Sequence, residues 1–450
     1  MIRLPDLRRV GKSKGDVHKS FGINQAFDNV YYAIIKKYRP RYFERSTILD
    51  DFFLQYYRVE DAIYRRDFLS ELLDREFRRN FDNLNAMIPR RYMYPVYVED
   101  KNGEERPASA IRNDLIVVQK ILNLPKTLEI LAADLPGTSE ASQDIRKFVA
   151  RARKSLGDYE KEARPLRKKP LVWDGGMDVE RANHCLRQII LFRDRIDEIC
   201  NIKKQFSYYF TLCMPYEVEF NGRRVPSCKP EFLDPELREG TMKNAYHPAY
   251  SIAKKLSIPN DIHWGHDTRN TFIQGPNSMG KSVYLKTAAL NIHLAMAGLF
   301  CFADSCQMSP VRQMFPCFDL GDSLGEGHFL TGLYEINDMI RRLKIEDIVF
   351  LDEAGGGTEP EAERIIAKGI SDALINNSIT SFNVTHDRNA WKGYKGKSGI
   401  KFLRVADLGD RKMRYKVWPG IAEGGYAMHI AKQRKIDPKS VDRRIKARLK

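Results

Sequence analysis

One stretch limits the fold more than any other, Asn270 to Ser282, which reads NTFIQGPNSMGKS. A short β-type run, Thr271, Phe272 and Ile273, leads into Gly275, and Gly280-Lys281-Ser282 complete the spacing G-x-x-x-x-G-K-S. That spacing suits a phosphate: glycines let backbone N–H groups turn inward around it, the lysine adds a point charge, and the serine hydroxyl reaches a magnesium ion. The following run, TAALNIHLAMAGLF from Thr287 to Phe300, is apolar enough for a buried helix whose N-terminus faces the phosphates. Gly275, Pro276, Asn277, Ser278, Met279, Gly280, Lys281 and Ser282 are therefore candidate nucleotide-binding residues, with Ser282 also a candidate metal ligand.

Two later β-type runs extend the pattern. Asp347 to Glu353, DIVFLDE, is an apolar run that emerges into two acids. Beside a phosphate loop, Asp352 is placed to hold Mg²⁺ and Glu353 to orient the attacking water. The run from Ile379 to Thr385 ends at His386. Strand, loop and helix, then Asp-Glu, then a strand ending in histidine is the order in which ABC-type ATPases keep a histidine that senses the γ-phosphate. KFLRVADL and RKMRYKVWP flank Gly409-Asp410-Arg411 and read as an antiparallel hairpin at a sheet edge. Strands alternating with helices around such a loop predict an α/β sheet with the ligand at the carboxyl ends of the strands.

The 450 residues suggest two or three domains, and an apolar share of 43% is ample for real cores. A net charge of +16 favours a polyanionic partner, nucleic acid first. The seven cysteines form no C-x-x-C pair and read as reduced thiols. The basic start, MIRLPDLRRVGKSKGD, lacks the apolar core of a signal peptide, and no apolar run of roughly 18 residues occurs. A cytoplasmic protein without a membrane span is the expectation.

Residues 1–228 read mostly as long helices. Ile23, Phe27, Val30, Tyr31, Ile34, Ile35 and Tyr38 fall at helical spacing, and Pro40 ends that run. The periodic run from Ile48 to Ile88 is either one long helix or two joined by a tight turn. Hairpins are expected around Asn102-Gly103 and, within YEVEFNGRRV, around Asn221-Gly222. Helical patterns also cover 109–133, 140–162 and, after the breaker PLVWDGG, 179–212. Arginine-rich faces such as Arg65, Arg66, Arg75, Arg78 and Arg79 either track a phosphate backbone or are solvated faces mixed with acids.

At this point the second half resembles the ATPase domain of the MutS family of DNA mismatch repair proteins. The resemblance covers roughly Lys229 to Asp437 and rests on ordered blocks: AYHP at Ala245–Pro248, IPND at Ile258–Asp261, GPNSMGKS, HLAMAGLFCFADSCQMSPVRQMF, LDEAGGGTEPEAE, THD at Thr385–Asp387, and YKVWPGIAEGGYAMHIAKQ. It implies an ABC-type fold that binds ATP and Mg²⁺, with Asp352 on the metal, Glu353 activating water and His386 sensing the γ-phosphate. Asn260 is implied near the adenine end. Two such domains pair in this family, each completing the other's site through a signature loop, so a homodimer is implied.

The sequence also departs from the family. Ser278-Met279 stand where the family commonly has Met-Gly, and DSLGEGHF, Asp322–Phe329, has Gly327-His328 where a serine is expected, leaving Ser323 or Thr331 as substitutes. No Phe-x-Glu wedge occurs, and residues 1–228 leave no room for mismatch-recognition and connector domains. The expected architecture is α + α/β: a helical core/lever domain at 1–228, an ABC-type P-loop ATPase domain with a mostly parallel sheet at 229–437, and a basic tail at 438–450. The expected function is ATP hydrolysis at a dimer interface that moves helical arms on mismatched, branched or distorted DNA. The alternatives are an ATP switch acting on a protein or ribonucleoprotein partner, and a generic SMC-like ATPase.

Overall fold

The computed structural model describes residues 226–248, 258–275, 279–317, 328–352, 360–384, 392–405, 415–421 and 437–448, a helix at 59–72, strand pieces at 7–9, 55–57, 172–173, 176–177, 219–220 and 223–224, and scattered helical positions between 130 and 154. The chain divides into two compact units, one built mainly from 63–214 and the other mainly from 215–450.

In the smaller unit most of the expected helical periodicity lies outside the described residues, as does the hairpin expected at Asn102-Gly103. β3 (Val172–Trp173) and β4 (Gly176–Met177) form an antiparallel pair. PLVWDGG is thus a hairpin as well as a helix breaker, in keeping with the turn preference of its Asp174-Gly175.

Other short elements precede the nucleotide loop. β1 (Leu7–Arg9) pairs antiparallel with β2 (Gln55–Tyr57), and α1 (Val59–Leu72) follows. The helical reading of 48–88 is therefore corrected at 55–57, where tyrosines of high β propensity find a strand partner far away in sequence. The hairpin expected at Asn221-Gly222 is present as β5 (Glu219–Phe220) against β6 (Arg223–Arg224).

The larger unit is organised by a six-stranded sheet in the order β12 (Met314–Cys317), β13 (Ile348–Asp352), β14 (Thr380–Val384), β10 (Asn270–Gln274), β15 (Ile400–Val405) and β16 (Val417–Pro419). The first five are parallel and β16 runs antiparallel at the edge. The mostly parallel sheet and the edge hairpin are as the sequence predicts. Parallel strands need covered faces. On one face Val349 and Leu351 pack with Phe315, Ile336, Met339, Leu374 and Ile379, joining the sheet to α3 (His328–Arg342) and α4 (Pro360–Asn376).

α2 (Lys281–Met296) contacts β13 and β14 of this sheet and also β8 of a second one. It buries nearly every side chain from Tyr284 to Met296, which is why its sequence is apolar all round instead of amphipathic. The second sheet has the order β7 (Glu231–Phe232), β11 (Ser305–Met308), β8 (Gly240–Ala245) and β9 (Asn260–Trp264). Trp264 of β9 meets Phe382 of β14 edge-to-face at 6.2 Å, and Phe382 stacks on Phe350 at 5.3 Å. Gly240 makes room for that indole: a Cβ there would lie 2.3 Å from the ring. The expected basic tail contains a helix, α5 (Pro438–Arg448), whose first turn is fixed by Asp437 accepting from the Ser440 N–H.

Candidate functional site

The parallel register sets the level of the site. Ile273 of β10 is opposite Val384 of β14, and Val384 is opposite Asp352 of β13. Three neighbouring strands thus end together, and the sequence continues from them into Gly275, Glu353 and His386 within two residues. Of the predicted residues, Pro276, Asn277, Ser278, Glu353 and His386 lie outside the described residues, as does Ser323. Thr331 is in α3.

The two loop glycines have the conformations the motif requires. Gly275 has φ +149° and a Cβ there would sit 2.7 Å from the Val405 carbonyl oxygen of β15, so the loop leaves the sheet hard against its neighbour strand. Gly280, at φ +96°, is the N-cap of α2. The Tyr284 N–H donates to its carbonyl at 3.0 Å and closes the first turn. Lys281 opens the helix, is almost fully buried, and donates from Nζ to the Gly275 carbonyl at 2.9 Å. This bond spans the loop and draws the ammonium back over it. Met279 is buried and Ser282 half-buried. A glycine-lined loop, a buried ammonium and the N-terminus of a 16-residue helix converge on one place, which suits a triphosphate.

Asp352 is half-buried at the end of β13, a strand that is otherwise apolar. Asn260 does not stand free. Its Nδ2 donates to the carbonyls of Ile258 at 3.1 Å and Tyr415 at 3.3 Å, while its Oδ1 accepts from the Val417 N–H at 2.8 Å. The side chain is a clasp between the IPND strand and the start of β16. Lys416 reinforces it by donating to the Pro259 carbonyl, and the Tyr284 hydroxyl donates to the Asp261 carbonyl, tying the same strand to α2. Burial alone would raise the Asp261 carboxyl, but the Asn244 N–H and Lys243 hold it below its usual value.

Tyr415 opens the block YKVWPGIAEGGYAMHIAKQ, which by itself gave the residue no place in the site. Its φ of +73° is left-handed, and its ring is the nearest neighbour of Gly280, 3.2 Å from where a Cβ would be. Asn260 therefore reaches the phosphate loop through Tyr415. Its left-handed backbone and its place against Gly280 leave no trace in that block.

Residues 271–450 match the family described as MutS domain V. The chain is 31% identical over 206 residues to Endonuclease MutS2 of Geobacillus sp. (strain WCH70), a match covering 44% of this chain and 26% of that protein. It is 28% identical over 231 residues to DNA mismatch repair protein MutS of Lactobacillus delbrueckii subsp. bulgaricus, covering 50% and 27%. To Endonuclease MutS2 of Bacillus mycoides it is 27% identical over 229 residues, covering 49% and 28%. The chain thus spans about a quarter of the length of these curated relatives.

Proposed function

We propose that the chain, whose residues 271–450 match MutS domain V, is a MutS-type Mg²⁺-dependent ATPase that acts on DNA. The observation that carries the proposal is the joined geometry of β10, Gly275, Gly280, Lys281 and α2 at the same sheet edge as Asp352. Lys281 and the loop amides hold the β- and γ-phosphates, Ser282 and Asp352 hold the metal, and Glu353 orients the water that attacks the γ-phosphorus. His386 contacts the γ-phosphate, and Asn260 lies near the nucleotide's base end while holding Tyr415 against Gly280 of the phosphate loop. Mg²⁺ supplies neutralisation of the charge that grows on the phosphoryl oxygens. Nucleotide binding must also release Lys281 from the Gly275 carbonyl, so the lysine exchanges a neutral acceptor for a charged one.

The domain limits proposed are 229–437 for the ATPase and 1–228 for a helical core/lever. Two ATPase domains pair into a homodimer, and hydrolysis changes the angle between the arms. DNA is the proposed partner because a relative is named for DNA mismatch repair and the net charge is +16. The nuclease activity in the other relatives' name is not part of the proposal. Lys281→Ala should abolish ATP binding in a filter or fluorescence assay. Glu353→Gln should retain bound ATP while turnover falls by at least about 100-fold, the scale of a lost general base. Wild-type turnover by purified Glu353→Gln protein would remove this mechanism. Stimulation by RNA but by no form of DNA would favour the ribonucleoprotein switch.

A further inference from the structure

Cys228 meets Cys301, far away in sequence and just beyond the end of α2, with Cys306 following five residues later. Cys228 and Cys301 face each other across an isolated antiparallel bridge, each N–H donating to the other's carbonyl at 3.0 Å. A hydrogen-bonded antiparallel pair sets its Cα atoms about 5.5 Å apart. Disulfides are built over Cα separations of roughly 4.4–6.8 Å, so the backbone already offers the needed spacing. The bridge stands outside any longer ladder. The Cys301 thiol donates to the Asn291 carbonyl at 3.4 Å.

The surroundings hold the pair in register. Tyr246 donates from its hydroxyl to the Pro226 carbonyl at 2.9 Å and from its N–H to the Phe302 carbonyl at 3.0 Å, gripping both strands one or two residues from the cysteines. Asn291 of α2 accepts from the Phe302 N–H at 2.6 Å. A structural metal is the other common use of clustered thiols, but no group of three ligating side chains with suitable geometry occurs among the described residues. Cys301 and Cys306 are fully buried, whereas Cys228 is half-buried and open to a small oxidant. Burial, with the neighbouring thiols, pushes the Cys301 thiol up, so Cys301 stays protonated until a partner sulfur is activated.

We infer that Cys228 and Cys301 form a peroxide-responsive dithiol that closes to a disulfide joining the first segment of the larger unit's ATPase region to the far end of α2. The Cys228 thiolate attacks hydrogen peroxide, breaking the O–O bond and leaving a sulfenic acid and hydroxide. Cys301 sulfur then displaces the sulfenic oxygen, which leaves as water with the thiol proton. Two thiols lose two electrons to one peroxide, giving one disulfide and two waters. The product encloses β10, the phosphate loop and α2 in one covalent loop, which removes freedom from the unfolded chain.

The test treats the full chain with dilute hydrogen peroxide under native conditions, then blocks free thiols and maps peptides without reduction. The expected result is a Cys228–Cys301 linked peptide and a thermal midpoint raised by several degrees, both reversed by dithiothreitol. Cys228→Ser, at a half-buried position that tolerates the change, should lose the link and the rise together. Cys306→Ala should keep both. The inference is overturned by Cys228 passing to sulfinic acid with no link, by Cys301–Cys306 as the dominant bond, or by a Cys228–Cys301 link that forms only in urea.

Discussion

Gly275 and Lys281 show how few atoms define the candidate site. A side chain at 275 meets the backbone of β15, which cannot move without breaking its ladder to β10, and the φ of +149° is itself unfavourable for any L residue. Gly369, on exposed α4, has nothing within 4 Å of its would-be Cβ. Gly275→Ala should therefore lower stability by more than about 1 kcal/mol and abolish nucleotide binding, whereas Gly369→Ala should raise stability by about 0.5–1 kcal/mol and leave binding intact. Urea titration with and without nucleotide reads both. Equal behaviour of the two variants would show that the loop's shape is not fixed by its contact with Val405.

At the scale of elements, the sequence was most informative where structure is local. The strand, loop and helix from Asn270 to Met296 have their spacing in a single stretch, and β13 is an apolar run because both faces of a parallel sheet are covered. The second sheet was illegible as a sheet. Its strands are short and half-polar, such as SCQM and GTMKNA, and β11 pairs with β7 and β8 across dozens of residues. Gln55–Tyr57 escaped for the same reason, since only its distant partner Leu7–Arg9 makes it a strand. Within the candidate site, spacing singled out Lys281 and Asp352, while Tyr415 stood only at the head of a longer block, because a left-handed tyrosine has no sequence signature of its own.

The start of β13 carries a further consequence. Asp347, with its side chain wholly buried, pairs with Arg312 and accepts from the Lys344 N–H. Burial raises its carboxyl above the usual value, although Arg312 and the Lys344 N–H pull it down. A folded-state value above the unfolded one means that the folded protein binds this proton more tightly. The contribution is greatest below the unfolded carboxyl range, about 4, and is lost as pH rises through the raised value. Asp347→Asn keeps an acceptor oxygen and removes the titration. The stability of wild type relative to this variant should fall from acid pH upward and then level off, as read from urea midpoints. A difference that grows with pH would reverse the sign assigned to Asp347.

The whole molecule carries +16, and its last described helix concentrates that charge. Lys439, Arg443, Arg444, Lys446 and Arg448 of α5 are all exposed, and Lys446 pairs with Asp442 at 2.9 Å. An exposed cluster of this sign fits a polyanionic partner. Each phosphate neutralised on duplex DNA releases counterions and contributes about −0.9 to the slope of log affinity against log salt. DNA binding by the full chain should therefore weaken linearly on such a plot. Replacing Lys439, Arg443 and Arg444 with glutamine should make the slope shallower by about 1 for each phosphate that is no longer neutralised, across all sequences alike. A slope unchanged in the triple variant would remove α5 from the DNA surface, and salt-independent binding would remove the backbone grip altogether.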